Sequence, residues 1–95
     1  MRGEKLLHQA TLIFKMRRSA YGEAKQHLHE VAQRWSLVMG HEVSPAQVVM
    51  CLLDLKLCRL KQNPRHLDSI TDIAGYAAVM AELLPPTDEE ANADE

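Results

Sequence analysis

The segment SPAQVVMCLLDLKLCRLK, residues 44–61, decides the fold. Ser44 followed by Pro45 marks a helix start. The serine caps free N–H groups, and proline is tolerated in the first turn, where its missing N–H has no intrahelical partner to lose. Beyond it Val48, Val49, Met50, Cys51, Leu52, Leu53, Leu55, Leu57, Cys58 and Leu60 surround the helix almost completely. A helix apolar on nearly all sides is central in its domain or covered on one side by a partner chain. A chain of 95 residues has little else to cover it with, so a homo-oligomer is expected.

Reading outward, Gln62-Asn63-Pro64-Arg65-His66 is a turn, with Asn63-Pro64 a candidate cap for the next helix. That helix runs from about Leu67 to Leu84, with Ile70, Ile73, Ala74, Tyr76, Ala77, Met80 and Leu84 as its apolar face, and Pro85-Pro86 stops it. Upstream, residues 23–39 form the cleanest amphipathic pattern. Ala24, Leu28, Val31, Ala32, Trp35, Val38 and Met39 share one stripe, and Gly40 is placed to end the helix in a left-handed conformation. A first helix spans about Glu4 to Arg18 on Leu6, Leu7, Ala10, Ile13 and Phe14. Lys15, Arg17 and Arg18 sit in its last turn, where cations suit the helix dipole, and Ser19-Ala20-Tyr21-Gly22 reads as a break. Alternating strand patterns and Asn-Gly or Asp-Gly hairpin turns are missing. The expected fold class is all-α, a small bundle of about four helices, with one domain over residues 1–84.

Composition agrees with a single small domain: 46% apolar, 25% charged, net charge −2 from 11 basic and 13 acidic residues. The charge is uneven. Asp88, Glu89, Glu90, Asp94 and Glu95 lie in residues 85–95, which carry no base and no apolar anchor. This stretch reads as a disordered, solubilising acidic tail. No apolar run approaches the length of about 18 residues that a membrane span requires. The N-terminus lacks the apolar core of a signal peptide, so a cytoplasmic location is expected. Cys51 and Cys58 are seven residues apart, roughly 10 Å along a helix. That is beyond disulfide reach, and they read as reduced core residues.

Charges that interrupt the apolar pattern are the candidate functional residues. Lys56 and Arg59 point within about 60° of each other on a face shared with Leu52 and Val49. A charge on such a face must be paired, or its burial costs several kcal/mol. Asp68 and Asp72 share a face one turn apart on the following helix. An antiparallel hairpin turning at residues 63–64 brings Arg59 level with Asp68 and Lys56 level with Asp72, so two charge rungs are predicted. Leu52 would stand level with Gly75, whose missing side chain would permit close approach. The rungs either set hairpin register alone or line a polar cleft. In a cleft, Lys56 and Arg59 would meet phosphate oxygens, while Asp68 and Asp72 would hold Mg²⁺ or orient a water.

Other chemistries lack support in the sequence. His27 and His29 point apart on a helix and cannot share a metal, HExxH is absent, and His66 is the one histidine beside the predicted rungs. No GxGxxG or Walker loop occurs. With a short basic cluster at Lys15–Arg18 and 4% aromatic residues, nucleic-acid binding is a minority reading. Trp35 and Tyr76 lie on apolar stripes and read as core.

At Tyr21-Gly22, Trp35, Leu55-Lys56-Leu57-Cys58-Arg59-Leu60 and the segment Asp68 to Ala77 (DSITDIAGYA), the chain resembles a family of small phage and prophage helical proteins. Their pattern is YG, a tryptophan fourteen residues on, LKxxRL, then D…DxAGYA. The resemblance covers about residues 18–83. More distantly the chain is similar to the all-α nucleoside triphosphate pyrophosphohydrolases of the MazG type. That likeness implies an oligomeric helical protein, a nucleotide substrate and Mg²⁺ held by Asp68 and Asp72. The paired-glutamate ExxE helix of that class has no counterpart, because the second helix offers Glu23 and Glu30 and the third only Asp54. Two function classes follow from the sequence. One is an accessory protein binding a nucleotide or phosphate compound through Lys56 and Arg59, with or without Mg²⁺-dependent hydrolysis. The alternative is a non-enzymatic module that binds another protein through an apolar or acidic surface.

Overall fold

A computed structural model describes residues 1–85. The acidic stretch 86–95, expected to be disordered, lies outside the described residues. Four helices follow in order: α1 (Arg2–Tyr21), α2 (Ala24–Met39), α3 (Pro45–Gln62) and α4 (Leu67–Leu83). No strand occurs among the described residues. None of the helices is long and apolar enough to cross a membrane.

The helix ends follow local chemistry. Ser44 forms a reciprocal capping box with Gln47: the Gln47 N–H donates to Ser44 Oγ (3.1 Å) and the Ser44 N–H donates to Gln47 Oε1 (2.8 Å). Gly40 closes α2 at φ +77°, in the left-handed region, with its N–H on the Ser36 carbonyl. Ser36 then ties the α2–α3 loop, since its Oγ donates to the Ala32 carbonyl (2.7 Å) and accepts from the Val43 N–H (2.8 Å). Gly22, at φ +85°, ends α1.

Several sequence expectations need correction. The first helix continues past Arg18 through Tyr21, because nothing before Gly22 demands a non-helical backbone. Asn63 does not cap α4. It ends α3, and its Oδ1 accepts from the Arg65 N–H (3.1 Å). The α4 cap is His66, whose Nδ1 accepts from the Ser69 N–H (3.3 Å) and lies 2.6 Å from Ser69 Oγ. With Ser69 donating to Nδ1, the ring proton is assigned to Nε2.

The core is small. Leu28 and Ala32 of α2 pack on Val48 and Val49 of α3, both fully buried, with Trp35, Val43, Tyr76 and Met80 half-buried around them. Trp35 and Tyr76 thus pack against the core as expected. Complete burial of each valine stabilises by about 1.5–3 kcal/mol at most. The α4 helix packs most extensively on α3 and next on α1, while α1 and α3 leave a gap between their backbones. The buried residues of α4 are Ser69, Thr71 and Asp72, in its first two turns, rather than its apolar ones.

Cys51 and Cys58 are exposed, not core. The buried arc of α3 runs through Val48, Val49 and Lys56, and the cysteines point away from it. Val38 and Met39, read as part of the α2 stripe, are exposed as well; Trp35 and Val43 supply the core contacts at that end. Gly75 faces α1 beside Ala10 and Phe14. A Cβ added there would meet nothing within 4 Å, so the expected close approach of Leu52 is not what this glycine serves.

Candidate functional site: a cation-lined recess at the Lys56–Asp72 pair

One of the two expected charge rungs forms. Lys56 Nζ lies 2.8 Å from Asp72 Oδ2, and both residues are buried, at 9% and 6% exposure. The hairpin register derived from the turn at residues 63–64 therefore holds at this level. The second rung does not form. Arg59 and Asp68 are both exposed, and no ion pair joins them among the described residues. Arg59 lies about 60° further around α3 than Lys56. It opens onto a concavity with Leu55, Cys58, Asn63 and His66. Asp68 lines a different concavity, beside Arg2 and Lys5 at the start of α1.

Sequence reading missed Arg17. Its Nη2 stands 3.6 Å from Asp72 Oδ1, so the buried carboxylate faces a cation on each side. Arg17 itself is half exposed, which leaves it donors for another partner. The signal was present: a basic pair, Arg17-Arg18, one turn ahead of Tyr21-Gly22. Assigning that pair to the helix dipole concealed it.

Around the pair is a recess of about 330 Å³. Its walls come from all four helices: Phe14, Arg17, Arg18 and Tyr21 from α1, Ala24 and His27 from α2, Leu52 and Lys56 from α3, and Asp72 and Tyr76 from α4, with Gly22 at the bend. The rings of Tyr21 and His27 stack at 5.4 Å with an interplanar angle of 14°. Gly22 makes the sharp turn that sets these rings against each other from successive helices. Its side is open, so the need for glycine there is the positive φ rather than space. Counting formal charges, three cations meet one carboxylate. The recess therefore has positive charge in excess, a flat aromatic stack and arginine donors, a set suited to an anion carrying a planar group.

The two carboxylates expected to hold Mg²⁺ do not share a concavity. Asp72 is already paired with Lys56 and Arg17, Asp68 opens elsewhere, and no group of three or more His, Cys, Asp or Glu side chains converges among the described residues.

Fold and recess together define a small all-α protein built around a buried ion pair and a cationic hollow. The chain belongs to the family described as a domain of unknown function (DUF6378), which matches residues 5–84. It is similar to the Gene 55 protein of Mycobacterium phage L5, with 35% identity over 79 residues, 82% of this chain and 51% of the relative. It is also similar to the Gene 55 protein of Mycobacterium phage D29, with 31% identity over 81 residues, 84% and 54%. The chain thus spans about half the length of these curated relatives, and the expected resemblance to a phage protein family holds. No solved structure matches the chain.

Proposed function

We propose that the recess binds a phosphorylated small molecule, with a nucleotide as the best fit. Phosphate oxygens accept hydrogen bonds from Arg17 and Arg18, and the planar moiety lies against the Tyr21–His27 stack. The observation that carries this reading is the convergence of Arg17, Arg18, Lys56 and the aromatic pair on one hollow. Its volume falls within the roughly 300–1,000 Å³ range of small-molecule sites. Lys56 is mostly spent on Asp72, so it contributes positive field more than free donors. Asp72 acts as a positioning residue, holding Arg17 at the rim. Arg59, outside the recess, has no part in this site. The reading is one of binding: Asp68 and Asp72, the two carboxylates expected to hold Mg²⁺, line different concavities.

Isothermal titration of the full chain with nucleoside triphosphates and with inorganic pyrophosphate tests it. Arg17→Ala is expected to weaken binding by about 10–100-fold, the worth of one or two hydrogen bonds to a charged group. Binding that survives Arg17→Ala and Arg18→Ala together would reject this site. A second reading, a module that binds another protein through an apolar face, is favoured by Leu37, Val38 and Met39, exposed in succession at the end of α2.

A further inference from the structure

The outer face of α3 presents Gln47, Met50, Asp54, Leu57 and Lys61, all exposed, at alternating three- and four-residue spacing. This is the spacing of a helix–helix seam. Met50 and Leu57 are large apolar side chains left 59% and 54% exposed among the described residues. At 100° per residue, Met50, Asp54, Leu57 and Lys61 lie within an arc of about 60°, with Cys58 about 40° to one side of Asp54. Asp54 and Lys61 make no ion pair among the described residues.

We propose that the C-terminal half of this face, Asp54 to Lys61, pairs with the same stretch of a second copy, with the two α3 helices antiparallel about a two-fold axis between Leu57 and Cys58. Charge selects both occupant and direction. Across such a pair, residue numbers at one level sum to about 115, as an isologous interface requires. Asp54 of each copy then faces Lys61 of the other, and Leu57 packs at the centre between the two charge pairs. A parallel arrangement stacks Asp54 on Asp54 and Lys61 on Lys61, which like-charge repulsion disfavours. The small core and the apolar girth of α3 give the same direction: the described residues leave this side of the central helix exposed. The inference stands independently of what the recess binds.

Light scattering and sedimentation equilibrium of the full chain across a concentration series test it, together with thiol cross-linking. The expected mass approaches about 21 kDa, twice the 10.7 kDa chain, and falls toward the monomer on dilution. Asp54→Lys and Lys61→Asp are each expected to weaken the dimer by about tenfold or more. Both substitutions are at exposed positions, so helix content should be unchanged, and combining them should restore the dimer. In the proposed register the two Cys58 residues sit within about 1.5 Å of the same level, while the two Cys51 residues are about 20 Å apart along the helix axis. A short bis-maleimide should therefore link wild type and Cys51→Ser into covalent dimers, but not Cys58→Ser. A monomer at every concentration would overturn the proposal. So would a dimer indifferent to both charge reversals, or cross-linking that requires Cys51.

Discussion

Replacing the two members of the Lys56–Asp72 pair separately and together should give sharply non-additive losses. In Lys56→Met, an apolar side chain of similar length fills the site and leaves the Asp72 carboxylate, 6% exposed, without its 2.8 Å partner. Unit charges at that distance attract by about 6 kcal/mol gross at an effective dielectric near 20, most of it offset by desolvation. What remains to Asp72 is Arg17 at 3.6 Å, half exposed and hence screened by solvent. Removing one partner of a buried pair costs about 3–5 kcal/mol. Lys56→Met falls at the lower end, because Arg17 compensates in part. Asp72→Leu falls at the upper end, because Lys56 has no second carboxylate partner among the described residues. The double variant removes both charges and should return to within about 1–2 kcal/mol of wild type. Urea unfolding followed by Trp35 fluorescence and far-ultraviolet circular dichroism measures each stability, with a constant slope confirming that only stability has changed. For a domain of this size the single losses correspond to Tm decreases of roughly 12 °C or more. Single losses below about 1 kcal/mol, or a double variant that loses the sum, would show the pair to be solvated and uncoupled.

Other expectations follow from the same geometry. Gly22→Ala forces a Cβ into φ +85° and should cost about 1–3 kcal/mol of stability by thermal denaturation; it should also weaken anion binding by disturbing the Tyr21–His27 stack. Ser44→Ala removes the acceptor of the α3 capping box and should lower stability by about 1 kcal/mol in urea titrations, with ligand affinity unchanged. Arg59→Ala, outside the recess, should leave nucleotide affinity within twofold of wild type by calorimetry, roughly the scatter expected of a site without contact.

The fold was legible because its signals are local. Gly40, the Ser44-Pro45 start and the 3.6-residue stripes fix four helices without tertiary knowledge. The Lys56–Asp72 rung was also legible, since a hairpin of two helices has one register and a misplaced cation needs a counterion. Arg59 and Asp68 obey the same arithmetic of level but diverge in azimuth. Level comes from residue number, whereas azimuth depends on where α2 and α4 meet α3, and this the sequence does not state. Arg17 was hidden for a related reason: its partner lies 55 residues away in sequence, and only the packing of α1 on α4 brings them together. The exposed Cys51 and Cys58 show the limit of apolar patterning. A helix apolar all round announces that it will be covered, without naming the side its own chain covers.

The most direct test of the cationic recess is an amide NMR titration of the full, isotope-labelled chain with a nucleoside triphosphate. The expected result is saturable shift changes clustered at Arg17, Arg18, Tyr21, Gly22, His27 and Tyr76, with the midpoint moved to about 10–100-fold higher ligand concentration by Arg17→Ala. Saturable changes centred instead on Arg59 or Asp68, or no changes at any accessible concentration, would contradict the assignment of this recess as a phosphate site.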